Sequence, residues 1–270
     1  MSQIYTFTIS DEFKDFTLHR FLTDKLKELQ SGKQIKKAIE DGKCVVNGRM
    51  ERFGSIKLLV NDSISIQFDK KNTQKVQILF ENEEFFAIDK WAGLICEDTA
   101  VRKFFPGTFL IHRLDKETTG VLLIAKSEPV KKRFIELFRE GKILKQYLAL
   151  CSGYPSKNSG SIKNFLTKQG EFKGQTLYKG TLDGPGQYAE THWKVLKKVG
   201  NDTLIECRPI TGRTHQLRVH LKEIGCPIVG DVLYNKKGGI SPRMMLHAQK
   251  LEIVPLGIII ESHESFFTAT

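Results

Sequence analysis

The densest group of residues able to do chemistry is His112-Arg113-Leu114-Asp115-Lys116-Glu117-Thr118-Thr119-Gly120. It sets an arginine and a carboxylate two residues apart in a polar stretch. Val121-Leu122-Leu123-Ile124-Ala125 follows directly, an apolar run of the length of a buried strand. Loops pinned by a rigid element often carry catalytic groups. Asp115 in that position could act as a general base or a nucleophile, or it could only shape a turn.

Thr211-Gly212-Arg213-Thr214-His215-Gln216-Leu217-Arg218-Val219-His220-Leu221 is the second dense motif. Leu217, Leu221 and Ile224 share a helical face, and Gly225 with Pro227 stops the helix. Thr211 and Thr214 are candidate N-caps. Arg213 then lies at or just before a helix N-terminus, where the macrodipole disfavours a cation. A carboxylate or phosphate offsets that, and Asp115 is a candidate partner; the alternative is a solvated Arg213.

Other chemistries find little support. His215 and His220 are five apart, not the i, i+4 spacing that presents two metal ligands on one helix face. There is no GxSxG elbow for a serine hydrolase and no Walker A or GxGxxG spacing for a nucleotide. Neither a metal nor a cofactor is expected.

The elements that must position these residues follow from patterning. Leu18, Phe21, Leu22, Leu26 and Leu29 mark an amphipathic helix over 17–30, with Thr17 as N-cap and Ser31-Gly32 as a break. A shorter helix turns Ile35, Ala38 and Ile39 inward and Lys33, Lys36 and Lys37 outward, ending at Gly42. Asn47-Gly48 between extended segments signals a hairpin, and Ser63–Phe68 alternates as a strand. Asp69–Lys75 reads as a linker. Beyond it, Ile78–Phe80 and Phe85–Ile88 predict a strand–turn–strand, 128–140 a helix, and Ile143–Leu150 a strand carrying Tyr147. Residues 152–188 have weak periodicity, and Ala189–Leu196 and Thr203–Cys207 alternate as strands.

The chain has 270 residues, is 40% hydrophobic and has a formal net charge of +11. Both parts are basic: 13 basic and 10 acidic residues lie up to Asn72, and 29 and 21 beyond it. A polyanion could therefore touch both. Five widely spaced cysteines without a CxxC pair suit a reducing compartment. The N-terminus lacks the pattern of a signal peptide, and no apolar run reaches the roughly 20 residues of a membrane span. A cytoplasmic protein without a membrane partner is expected, with monomer as the default.

Two resemblances sharpen this reading. Phe21-Leu22, Ile35-Lys36-Lys37-Ala38-Ile39, Gly42, Val45-Val46-Asn47-Gly48 and the strand near 64–68 resemble the S4-like RNA-binding module. Five ordered segments resemble the RluA-type pseudouridine synthases. They are His112-Arg113-Leu114-Asp115 with Thr118-Thr119-Gly120, Lys145–Leu150, Gly212–His220, Pro227–Tyr234 and Leu246-His247-Ala248. The resemblance implies an α+β catalytic domain at 73–270, built on a large, mostly antiparallel mixed sheet with a central cleft. A small α/β S4-like domain and the start of a linker precede it at 1–72. Where the family usually has Lys-Pro-Ala-Gly and Thr-Ser-Gly, this chain has Lys90-Trp91-Ala92-Gly93 and Thr118-Thr119-Gly120.

The resemblance also implies the reaction, a cofactor-free conversion of specific uridines in structured RNA to pseudouridine. Asp115 matches the catalytic aspartate, which attacks C1′ or removes the 2′ proton. Arg213 matches the arginine that pairs with it. Tyr147 matches the tyrosine that lies against uracil and helps remove the C5 proton. Leu217 matches a residue lining the base pocket, and Arg113 the arginine that fills the space of the flipped-out nucleotide. His112 is placed with the substrate-binding residues, and Lys33, Lys36, Lys37 and Arg218 with the RNA-binding ones. Members bearing an S4 module mostly act on ribosomal RNA, so rRNA is expected over tRNA. The rival readings are a non-catalytic RNA-binding or ribosome-assembly factor and an RNA- or nucleoside-directed glycosidase. The latter wants two carboxylates, and only Asp115 stands out.

Overall fold

Helical spacing of apolar residues in the first seventy positions builds two short helices against one small sheet. A computed structural model describes the chain except at residues 1, 28, 70–75, 173, 236–240, 242 and 265–270. The backbone divides into two units, Met1–Lys75 and Val76–Thr270. The expected linker falls, apart from Asp69, outside the described residues.

The first unit runs β1 (Ser2–Thr8), α1 (Leu18–Leu26), α2 (Gly32–Glu40), β2 (Cys44–Val46), β3 (Arg49–Glu51) and β4 (Ser63–Asp69). The antiparallel sheet has the order β1-β4-β2-β3. Thr17 caps α1 by accepting the Arg20 N–H. The helix ends at Leu26, short of the expected residue 30, and Leu29 is exposed. The reason is local: Ser31 and Gln34 form a capping box that starts α2 at once. Ile35, Ala38 and Ile39 then pack with Leu18, Phe21 and Leu22, while Lys33, Lys36 and Lys37 remain exposed. Asn47 and Gly48, at φ 51° and 77°, make the tight β2–β3 turn. β1 was not expected from the sequence.

In the second unit the elements are β5 (Ile78–Glu81), β6 (Phe85–Lys90), α3 (Asp98–Val101), β7 (Phe109–Leu110), β8 (Thr119–Ala125), α4 (Glu128–Arg139) and β9 (Ile143–Ser152). They continue as β10 (Ser159–Phe172), β11 (Gln175–Thr181), β12 (Gln187–Val199), β13 (Asp202–Pro209), α5 (Gln216–Glu223), β14 (Leu246–Ile253) and β15 (Ile258–Glu261). One eleven-stranded sheet orders nine of these strands β11-β10-β12-β13-β9-β14-β8-β6-β5, with β7 on β8 and β15 on β14. Among the described residues only β14–β8 pairs in parallel. This is the α+β architecture with a large mixed sheet that the sequence suggested.

The weakly periodic 152–188 stretch holds the long β10–β11 hairpin. Of β10's fourteen residues only Asn164 and Leu166 are buried, so no hydrophobic alternation was available to read. β8 shows the opposite pattern. Val121, Leu123 and Ala125 enter a core with Phe134 of α4, and Leu122 and Ile124 enter another with Phe86 and Leu114. Burial on both faces is what an uninterrupted apolar run indicates. Among the described residues no helix is long and apolar enough to cross a membrane.

Gly120 joins the Asp115 loop to this buried strand. Its φ is 107°, and a Cβ there would lie 2.2 Å from the Ala248 carbonyl oxygen on β14. No side chain fits without separating the parallel pair. We expect Gly120→Ala to lower unfolding free energy by roughly 2–5 kcal/mol, from a strained dihedral plus overpacking. Urea denaturation checks this, and a midpoint near that of the parent would refute the close approach.

Candidate active site

The loop between β7 and β8 carries Asp115. Its turn is closed by the Thr118 N–H, which donates to the Asp115 carbonyl at 3.0 Å. Beneath it, at the end of β6, lies the fully buried Lys90. Its ammonium donates to the carbonyls of Trp91, Lys116 and Thr118 at 3.0, 2.9 and 2.7 Å. Three donors thus meet three carbonyls, two of them in the Asp115 loop. Burial pushes the Lys90 pKa down to about 8. The sequence reading had found only a change of neighbour at Lys90-Trp91. The carbonyls that call for a buried ammonium come from residues 26 and 28 positions farther on.

The counter-charge of Asp115 is Arg218, not Arg213. Arg218 Nη1 lies 3.2 Å from Asp115 Oδ2. Its other two nitrogens clasp Asp231, Nε to Oδ2 at 2.7 Å and Nη2 to Oδ1 at 2.8 Å. The Asp231 side chain is 0% exposed, Arg218 8% and Asp115 25%. Asp231 Oδ1 also accepts the N–H groups of Leu233 and Tyr234. Burial works against the Arg218 charge, but Asp231 and Asp115 outweigh it and hold the guanidinium above its ordinary pKa. The fork on Asp231 uses the rigid geometry of arginine and leaves one N–H directed at the cleft.

Arg213 misses because the helix begins later than expected. His215, in a left-handed conformation at φ 57°, is the N-cap of α5, so neither Thr211 nor Thr214 caps it. The Gln216 side chain, at the first turn, ties the preceding loop down: it accepts from the Arg213 N–H and the Thr211 hydroxyl and donates to the Glu190 carbonyl. Arg213 is exposed and donates through Nε to the Tyr188 carbonyl at 3.0 Å. Arg218, placed among the RNA-binding residues by the sequence, is buried and pairs with Asp115.

Around the carboxylate opens a cleft of about 530 Å³. His112, Arg113, Tyr147, Arg213 and Leu217 all line it, together with Lys145, His215, Ile135 and Ile210. Tyr147, on β9, is half-buried. Burial pushes its hydroxyl pKa up, and the charge of Asp115 adds to the effect. Leu217 is buried, and Arg113 stands exposed at the rim. Lys145 donates to the Thr211 carbonyl, and burial, aided by Arg213, brings its pKa down to about 8. His112 faces inward: its Nε2 accepts the Leu123 N–H at 3.0 Å and its ring lies against Phe138. Burial, with Lys145 nearby, depresses its pKa to about 3, so the ring is neutral and anchors the loop to β8. Lys33, Lys36 and Lys37 belong to the first unit. Among the described residues no group of three or more His, Cys, Asp or Glu could hold a metal ion.

Residues 84–223 match the family model described as RNA pseudouridylate synthase. The chain is 40% identical over 200 residues to an uncharacterized RNA pseudouridine synthase of Zymomonas mobilis, covering 67% of this chain and 88% of that protein. It is 34% identical over 253 residues to the ribosomal large subunit pseudouridine synthase C of Rickettsia felis, covering 80% and 82%. The chain belongs to the RNA pseudouridine synthase family. It is therefore an isomerase acting on RNA, and the non-catalytic and glycosidase readings give way. A solved structure, human RNA pseudouridylate synthase domain containing 1, superposes with a TM-score of 0.63 at 26% identity, covering 72% of this chain and 85% of that one. The pseudouridine synthase fold thus places Asp115, Arg218 and Tyr147 around one cleft.

Two outcomes follow from this geometry. Arg218→Met leaves Asp231 as a buried carboxylate without its counter-charge, and we expect a loss of about 3–5 kcal/mol. Arg213→Met, at an exposed position, should shift stability by no more than about 0.5 kcal/mol. Equal denaturation midpoints for the two variants would contradict the pairing. The second outcome concerns pH. Because folding depresses the pKa of His112, the unfolded chain binds the extra proton first. Stability is then full above about pH 6.5 and is lost as pH falls toward 3. His112→Gln should flatten that part of the stability–pH curve; an unchanged slope would show that the ring is not held neutral.

Proposed function

We propose that this protein isomerises specific uridines of ribosomal RNA to pseudouridine, with Asp115 as the catalytic carboxylate and without a cofactor. The observation that carries the reading is the Asp115–Arg218 pair, 3.2 Å apart in a cleft sized for a nucleotide. The guanidinium hydrogen-bonds the carboxylate and orients it in the cleft, whether Asp115 attacks C1′ or removes the 2′ proton. In either case the N1–C1′ bond breaks, the uracil turns and C5 bonds to C1′ as the aspartyl bond breaks or the 2′ proton returns; C5 then loses its proton and N1 gains one, so that the product is an isomer. Tyr147 supplies an aromatic face and a hydroxyl for the base. With its pKa raised, that hydroxyl stays protonated and is suited to relay a proton in concert with Asp115. Leu217 packs against the base, and Arg113 at the rim takes the place of the flipped nucleotide.

Ribosomal RNA is favoured because the Rickettsia felis relative is named for the large ribosomal subunit. The first unit, with two capped helices on a small antiparallel sheet and Lys33, Lys36 and Lys37 on its outer face, is read as an S4-like module that adds phosphate contacts. Arg213 joins Arg113 and Lys145 as a phosphate-facing cation of the cleft. We place the protein in the cytoplasm as a monomer.

The test is to map pseudouridines in total RNA from cells lacking the gene, before and after incubation with the purified protein. New sites in large-subunit RNA are expected; sites confined to tRNA would refute the substrate, and none at all the enzyme. Asp115→Asn should abolish product, a loss of at least about 1,000-fold for an essential catalytic group, while RNA retention on filters persists. Persisting activity would assign the chemistry to another group.

A further inference from the structure

Beyond the cleft, one face of the β10–β12 ribbon carries an aromatic pair, half-buried Phe165 and exposed Tyr188, that the isomerisation leaves unused. The register pairs Phe165 with Tyr188 and Lys163 with Glu190 across β10 and β12. These side chains share the face opposite Asn164 and Leu166, whose alternate positions point to the buried side. The rings of Phe165 and Tyr188 meet edge to face at 5.8 Å between centroids. Tyr188 is 41% exposed, and Leu182, in the loop before β12, is 91% exposed.

Basic side chains lie beside the pair. Lys163 lies 3.2 Å from Glu190, and the His192 ring lies 2.9 Å from the same carboxylate. The Tyr188 hydroxyl donates to the other oxygen of Glu190 at 2.7 Å, which fixes the ring from its far end. Lys194 and Arg208 continue the exposed face toward β13. The acidic groups are occupied locally, Glu190 as described and Glu206 by Arg208 at 2.8 Å. The patch is also continuous with the cleft. Arg213 donates to the Tyr188 carbonyl, the Ile210 N–H donates to the Glu190 carbonyl, and both Arg213 and Ile210 line the cleft wall.

We infer that this face is a second RNA-binding platform, on which an unpaired nucleotide flanking the target uridine stacks against Tyr188 while Lys163 and Arg213 hold adjacent phosphates. An aromatic face flanked by basic side chains is what single-stranded RNA recognises. A duplex offers phosphates but no free base face. The face adjoins the cleft at Arg213, so a nucleotide near the flipped one in the strand comes within reach of Tyr188. The inference rests on the chain's acting on RNA. It does not depend on Asp115 or on which uridine reacts.

The experiment uses the full-length protein with two fluorescein-labelled probes, a uridine homopolymer of about 20 nucleotides, longer than typical single-strand site sizes, and an RNA duplex of equal length. Tyr188→Ala should weaken homopolymer binding by about tenfold, the loss of one base–aromatic stack, and leave duplex binding within about twofold of wild type, since the loss is specific to a base face. Tyr188→Phe keeps the ring and loses only the bond to Glu190, so it should bind like wild type. Unchanged homopolymer binding by Tyr188→Ala would overturn the platform. An equal loss on the duplex, or a loss in Tyr188→Phe as large as in Tyr188→Ala, would also overturn it. Pseudouridine formation on total RNA is measured in parallel. If wild type forms none while the binding pattern holds, the enzymatic reading fails and the platform stands.

Discussion

Everything at the cleft depends on the fork that Arg218 makes on Asp231. A buried arginine is costly to desolvate, and a buried aspartate equally so. Each is tolerable because the other meets it with two parallel hydrogen bonds, and because two backbone N–H groups complete Asp231. The fork also fixes the guanidinium plane, so that the remaining nitrogen points in one direction only. Asp115 lies in that direction, half in water and half against the cation. Two carboxylates share one guanidinium. Asp231 spends its charge on structure, and Asp115 keeps a free oxygen for the cleft.

The carboxylate itself is held from the other side. The Lys90 ammonium draws together the carbonyls of Trp91, Lys116 and Thr118. His112 binds the Leu123 N–H, and Gly120 lets β8 lie against the backbone of β14. These contacts tie a polar loop to a strand buried on both faces. A loop so fixed can hold its carboxylate in position without paying ordering entropy at each turnover. The one parallel pairing among the described residues falls here: β14 brings its backbone to the start of β8, beside the Asp115 turn.

The cleft divides its labour between apolar walls and a charged rim. Ile135, Ile210 and Leu217 offer surface for a flat base, while Arg113, Lys145 and Arg213 supply positive charge for phosphates. Burial lowers the pKa of Lys145 without removing it from service, since its ammonium still donates to the Thr211 carbonyl. Part of the basic excess read in the composition lies around the cleft and along the β10–β12 face.

Much of this was legible in the residues. The buried strand after Asp115, the helix around Leu217, the Asn47-Gly48 turn and the family resemblance are local patterns, and local patterns survive folding. Leu29, β1 and the β10–β11 hairpin were misread or missed where capping or solvent exposure erased the expected periodicity. The ion pair of Asp115 was misassigned for a related reason. Arg213 and Arg218 have the same chemistry and lie five residues apart, and only the place where α5 begins decides which one turns inward. That start is set by the Gln216 side chain reaching Thr211 and Glu190, and the inward arginine is secured by Asp231, thirteen residues downstream. By itself the sequence determined the family that the chain resembles and which segments carry the polar groups of the cleft. The tertiary structure alone decided which charges meet, because a buried ion pair forms between groups that packing brings together, whatever their spacing along the chain.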